Sequence, residues 1–151
     1  MKTTVPNKSC SLLGGGVSGF VYLVKDTHEN DAPRVLKEMF QKSPRSIESS
    51  RNEIDILRRL TDRYPSENIV KLYDSFEFGF NKCLVMEYCE DGSLESELSS
   101  LEAQQKTMRL RTALSLLKQL ASAIDLLHNF PDTIIHRDIK PEYYSNFQSF
   151  N

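Results

Sequence analysis

From Gly19 onward, apolar and polar positions alternate. Phe20-Val21-Tyr22-Leu23-Val24 is rich in β-branched and aromatic types, residues 26–33 are turn-like, and Arg34-Val35-Leu36-Lys37-Glu38-Met39-Phe40 alternates again. This period of two predicts a hairpin. Over residues 46–60 the spacing changes, with Ile47, Ile54, Leu57 and Leu60 following a polar first turn, and Tyr64-Pro65 closing it. That predicts one amphipathic helix. Residues 69–77 and 83–88 are two further predicted strands, joined by a turn at Gly79-Phe80-Asn81-Lys82. After Asp91-Gly92 the character becomes helical. Leu110, Leu114, Leu117, Leu120, Ala121, Ile124 and Leu127 recur at three and four, and Leu116 and Ala123 widen the face. Residues 109–128 are therefore expected to form a long, heavily buried helix. The polar stretches 41–50 and 95–107 are short enough to be loops or helix starts, and there is no internal repeat. Strands with one helix, followed by helices, make the chain α+β.

Composition narrows this only by exclusion. At 151 residues the chain fits one domain, and 39% hydrophobic with 26% charged residues is ordinary for a globular protein. A formal charge of −2 gives no global attraction to nucleic acid or to an acidic membrane, so neither is expected as a partner. Cys10, Cys83 and Cys89 are odd in number and unrelated in spacing, which suggests neither a disulfide framework nor a metal knuckle. No apolar run is long enough for a membrane span, and the first eleven residues lack a signal peptide's apolar core. A reducing compartment, cytoplasm or nucleus, is the expected location.

Five segments carry candidate chemistry. Gly14-Gly15-Gly16-Val17-Ser18-Gly19-Phe20-Val21 contains G-x-G-x-x-G-x-V, in which absent side chains let backbone N–H groups approach phosphate oxygens. An alternating strand follows, where a dinucleotide-binding fold needs a helix; this favours a glycine-rich hairpin covering a nucleotide over that fold, and a glycine turn with no ligand is the plainer reading of the motif alone. Lys37 lies on the next predicted strand, where an ammonium can reach α- and β-phosphates; an exposed strand lysine is the plainer reading. Glu53 on the predicted helix can hold that lysine. It is preferred to Glu48 and Asp55 because Ile54 and Leu57 turn its face toward the strands, and because Glu48 falls in the first turn, where acids are favoured anyway. Met86-Glu87-Tyr88-Cys89 runs from an apolar strand into a polar turn, where backbone groups can meet adenine and Met86 can set the pocket's depth. Last, His136-Arg137-Asp138-Ile139-Lys140-Pro141 reads as a phosphoryl-transfer loop, with Asp138 to orient a hydroxyl and accept its proton, and Lys140 to neutralise a transferring phosphate.

In order and approximate spacing these segments, with Asn68-Ile69-Val70, resemble the eukaryotic-type protein kinases over nearly the whole chain. Lys140, two residues after Asp138, is similar to the serine/threonine form. Leu36 to Phe40 and Thr133-Ile134-Ile135-His136 look like Numb-associated kinases, and Glu87-Tyr88-Cys89-Glu90-Asp91-Gly92 looks like NimA-related ones. The resemblance implies a protein-kinase-like fold: an antiparallel small lobe with one helix over 1–86, a hinge at 87–92, the first part of a helical large lobe over 93–142, and a non-family tail at 143–151. It implies transfer of the ATP γ-phosphate to Ser/Thr hydroxyls of a protein substrate, with Asp138 and Lys140 catalytic and Mg²⁺ required. Leu13, Gly14, Gly16, Gly19, Val21, Val35, Lys37, Glu53, Met86, Glu87 and Cys89 would bind ATP. His136 is implied to be a packing residue rather than a proton carrier, Arg137 the type that pairs with a phosphorylated loop, and His128 a helix-end residue.

The departures matter as much. Val35 stands where the family usually has Ala against adenine, so weakened ATP binding is expected. Tyr143 replaces the metal-binding Asn, Ser145 replaces an apolar residue, and no Asp-Phe-Gly segment follows. Restoring two adenines ahead of one possible coding of Tyr143-Tyr144-Ser145-Asn146-Phe147 yields Asn-Ile-Ile-Leu-Ile, so a frameshift or an alternative splice is expected. The alternative to a kinase is then a non-catalytic nucleotide-binding or regulatory fragment. Leucines on the helix at 109–128 would be left uncovered, each forfeiting ~1.5–3 kcal/mol. Poor solubility, or dependence on a chaperone or a partner kinase, is the expectation.

Overall fold

The computed structural model describes residues 10–141. The chain forms two compact units, Met1–Tyr88 and Cys89–Asn151. The first is built on five antiparallel strands, β1 (Ser11–Gly16), β2 (Gly19–Asp26), β3 (Ala32–Met39), β4 (Leu72–Phe78) and β5 (Asn81–Glu87), in the order β1-β2-β3-β5-β4. Helix α1 (Pro44–Arg63) intervenes between β3 and β4. This is the antiparallel α+β arrangement with one intervening helix that the resemblance implies. Pairing of Val21 with Lys37, and of Lys37 with Leu84, places these three on one face; Val35 and Met39 share it. Met39, Leu72 and Leu84 form the core there, and Ile54, Leu57 and Met86 pack against it. On the opposite face Tyr22, Leu36, Glu38, Phe78 and Cys83, with Cys10, line a cavity of about 140 Å³.

Element ends differ from the sequence pattern for local reasons. Helix α1 starts at Pro44, inside the stretch read as polar linker, because Ser43 and Ser46 form a capping box and Pro44 takes the first helical position. Its first turn therefore holds no acid, and Glu48 lies beyond it. Strand β4 starts at Leu72 rather than at residue 69. Ile69 N–H donates to Ser66 C=O in a turn, and Leu72 N–H is taken by Thr61 Oγ1 of α1 at 2.9 Å. Strand β1, with three consecutive glycines, has no alternation to betray it and is held by its pairing with β2.

In the second unit α2 (Leu94–Ala103) is capped by Ser93 with Ser96, and α3 (Leu110–His128) follows. The apolar spacing of α3 is as expected; the heavy burial read from that spacing is not observed, whereas leucines expected to be left uncovered are exposed. Leu116 is buried, whereas Leu110, Leu114 and Leu117 are 73%, 56% and 60% exposed, because the described residues cover only part of the helix circumference. Among the described residues no helix is long and apolar enough to cross a membrane.

Candidate functional site

The glycine-rich segment is a hairpin, with Gly16 paired to Gly19 and Val17-Ser18 at its tip. The register shifts between Leu12 and Gly14, so Leu13 stands at a bulge and is half exposed. The glycines divide into two kinds. A Cβ on Gly19 would stand 1.8 Å from the Glu38 carbonyl oxygen, and one on Gly15 would meet the Phe20 ring at 2.4 Å. Strand packing therefore demands both. A Cβ on Gly14 or Gly16 meets nothing within 4 Å, so their backbone is open to a ligand.

Strand β3 presents Lys37 toward α1. Its Nζ donates to Glu53 Oε1 at 2.5 Å, each side chain being 35% exposed. The rivals are placed otherwise: Asp55 pairs with Arg59 at 3.6 Å, and Glu48 is exposed. Val35, opposite Leu23 on β2 and Met86 on β5, shares the Lys37 face, as does Val21. These residues form one strip: an ammonium fixed by a carboxylate, flanked by apolar side chains and by an open glycine backbone. Such a strip suits a base with attached phosphates.

At the end of β5, Glu87 N–H donates to Lys71 C=O at 2.9 Å, and the Glu87 carboxylate accepts from Lys71 N–H at 3.3 Å, so of the Glu87 backbone groups the amide is committed to the sheet edge. Met86 packs against the core, and Cys89, half-buried, opens the second unit.

In that unit the segment after α3 is tied back by Ile134 N–H to Leu127 C=O at 2.9 Å, with Phe130 buried beside it. Arg137 has φ of 64°, a left-handed conformation costly for a side chain other than glycine. It turns the chain so that Asp138 N–H donates to His136 Nδ1 at 3.3 Å. Lys140 Nζ lies 3.9 Å from Asp138 Oδ2, and Asp138 is exposed. A carboxylate beside an ammonium can accept a hydroxyl proton and meet a phosphate oxygen. His128 sits in the last turn of α3, as a helix-end residue.

Among the described residues no group of three or more His, Cys, Asp or Glu stands together to hold a metal ion. Tyr143, Ser145 and the tail at 143–151 lie outside the described residues. Lys42 escaped the sequence pattern, because it falls in a polar stretch. Its Nζ donates to Val17 C=O at 3.3 Å, and nothing in its spacing marks it.

A family model described as "Protein kinase domain" matches residues 8–143. The chain is 33% identical over 140 residues to a probable serine/threonine-protein kinase of Dictyostelium discoideum, covering 87% of this chain and 16% of that protein. It is 34% identical over 132 residues to the serine/threonine-protein kinase TIO of Arabidopsis thaliana (87% of this chain, 9% of that one). With the serine/threonine-protein kinase ULK1 of Homo sapiens it shares 35% identity over 133 residues (87% and 12%). The chain thus spans less than a fifth of the length of each of these relatives.

Proposed function

This chain belongs to the protein kinase family, of the eukaryotic serine/threonine type, and from that premise we propose that its first unit binds ATP through Lys37, Glu53 and the glycine hairpin. The observation that carries the reading is the Lys37–Glu53 pair, which fixes an ammonium on the face shared by Val21, Val35 and Met86. The open backbone at Gly14 and Gly16 supports phosphate contact. Leu13, Val21, Val35 and Met86 offer the apolar contacts for adenine, and Gly19 serves by letting β2 approach β3. Val35 is bulkier than the family's usual alanine and lowers affinity; Val35→Ala tightens ATP binding several-fold in a nucleotide titration. Mg²⁺ accompanies ATP in this family and supplies charge neutralisation.

In the transfer step a Ser or Thr hydroxyl oxygen of a protein substrate attacks the γ-phosphorus. Its proton passes to Asp138, the bond to the β-phosphate oxygen breaks, and ADP leaves. Lys140 neutralises charge on the transferring group. The exposed Asp138 and its 3.9 Å approach to Lys140 are compatible with both roles. Phosphate transfer by the purified chain, abolished by Asp138→Asn, tests this reading, and transfer unaffected by that substitution overturns it.

A second reading rests on Tyr143, which stands where the family's metal-binding Asn is expected. Here the chain binds nucleotide without transferring phosphate and acts as a regulatory fragment, with a partner kinase or a chaperone engaged by its exposed helix face. Nucleotide binding without any transfer selects it. The resemblances to Numb-associated and NimA-related kinases favour neither subfamily, and a cytoplasmic or nuclear location accords with both readings.

A further inference from the structure

The tip of the glycine hairpin is held from behind by the segment that follows β3. Phe40 N–H donates to Ser18 C=O at 2.9 Å, and Lys42 Nζ donates to Val17 C=O at 3.3 Å. Lys42 Nζ also lies 4.6 Å from the centre of the Phe40 ring, over its face. Phe40 in turn meets Phe20 edge to face, with ring centres 5.3 Å apart and planes at 87°. Phe20 pairs with Glu38 in the register, so this stack lies on the face opposite Lys37.

A trans peptide points its C=O and the following N–H in opposite directions. With Val17 C=O drawn toward Lys42, the Ser18 N–H is directed away from the stack. A carbonyl free to rotate toward the ligand would instead face phosphate oxygens with its own negative end. Val17 is 87% exposed, and its side chain offers the tip little packing, so these two hydrogen bonds and the aromatic stack define its orientation.

We propose that Lys42 is a positioning residue of the nucleotide site. It fixes the Val17-Ser18 peptide so that the Ser18 amide is presented to the phosphates, and it makes phosphate affinity depend on a charge outside the site. The proposal rests on the ATP reading above. It is independent of the catalytic loop, since every group involved belongs to the first unit.

The test uses the full chain, titrated with Mg·ATP and, separately, with adenosine, which has no phosphates. Lys42→Met is expected to weaken ATP about five- to ten-fold, in line with loss of a charge-assisted hydrogen bond, and to leave adenosine unchanged. Lys42→Arg is expected to restore most of the affinity. Amide exchange at Phe40, whose N–H holds Ser18, is expected to quicken in Lys42→Met and not in Lys42→Arg. Equal weakening of ATP and adenosine, unchanged ATP affinity, or failure of arginine to rescue each overturns the role of Lys42 while leaving the ATP reading intact. A wild-type chain that binds neither ligand overturns the ATP reading, and the positioning role with it. Phe40 exchange that does quicken in that case shows that Lys42 braces the hairpin only structurally.

Discussion

Lys37 Nζ on β3 and Glu53 Oε1 on α1 stand 2.5 Å apart across sixteen residues of sequence, and the pair joins the sheet to α1. With both side chains 35% exposed, water screens the pair, and its worth to folding is ~0–1 kcal/mol. Its worth to a polyphosphate is larger, because a lysine already aimed loses less freedom on binding. Lys37→Met and Glu53→Gln are therefore expected to shift the thermal midpoint by only a few degrees while weakening ATP at least ten-fold, about 1.4 kcal/mol. Calorimetric melts beside nucleotide titrations measure both. Large destabilisation with unchanged affinity would contradict the assignment.

Gly14 and Gly19 belong to one motif and do different work. Alanine at Gly19 would drive a methyl into the Glu38 carbonyl, a backbone atom that no rotamer change can move aside. Gly19→Ala is expected to cost ~3 kcal/mol or more, at the upper end of overpacking. Gly14→Ala meets open space and is expected to leave stability unchanged or to raise it by ~0.5 kcal/mol, the ordinary gain of alanine over glycine in a strand. Denaturant midpoints of the two variants give the comparison, with Gly16→Ala expected to behave like Gly14→Ala.

Alternation over residues 20–24 and 34–40 made β2 and β3 legible, and the heptad-like leucines made α3 legible almost to the residue. Lys37 and Glu53 were readable as a pair because a helix period and a strand period together fix which faces meet. The start of α1 was not, since serine caps and a proline look like linker until their hydrogen bonds are seen. The commitment of Glu87 N–H to Lys71 was hidden too, because strand register across β4 and β5 leaves no mark in composition. Burial of α3 was misjudged for a further reason: apolar spacing reports which side of a helix can be covered, not whether it is.

Leu110, Leu114 and Leu117 recur at four and three residues, which makes an exposed apolar stripe of the kind that drives association. Leu114→Lys with Leu117→Glu is expected to raise the concentration at which light scattering begins, with folding stability changed by no more than ~0.5 kcal/mol per site. Leu116, buried on the same helix, behaves oppositely: Leu116→Ala is expected to cost ~2–5 kcal/mol. If the double substitution destabilises as much as Leu116→Ala does, the stripe is covered in solution.

Cys83 is 2% exposed, and burial, followed by the nearby Glu38 charge, pushes its thiol up to about 11. A pKa raised in the folded state means that the thiol is neutral in both states well below pH 9, and that stability there is unaffected. As pH climbs from about 9 toward about 11 the unfolded chain loses this proton first, so stability falls through that window and levels off above it. Cys10 is exposed. Iodoacetamide at pH 8 is therefore expected to modify Cys10 readily and Cys83 only in denaturant, as read by mass spectrometry of the digested chain. Alkaline melts complete the test: Cys83→Ser is expected to flatten the loss of stability between pH 9 and 11, and an unchanged pH profile would mean that another group sets it.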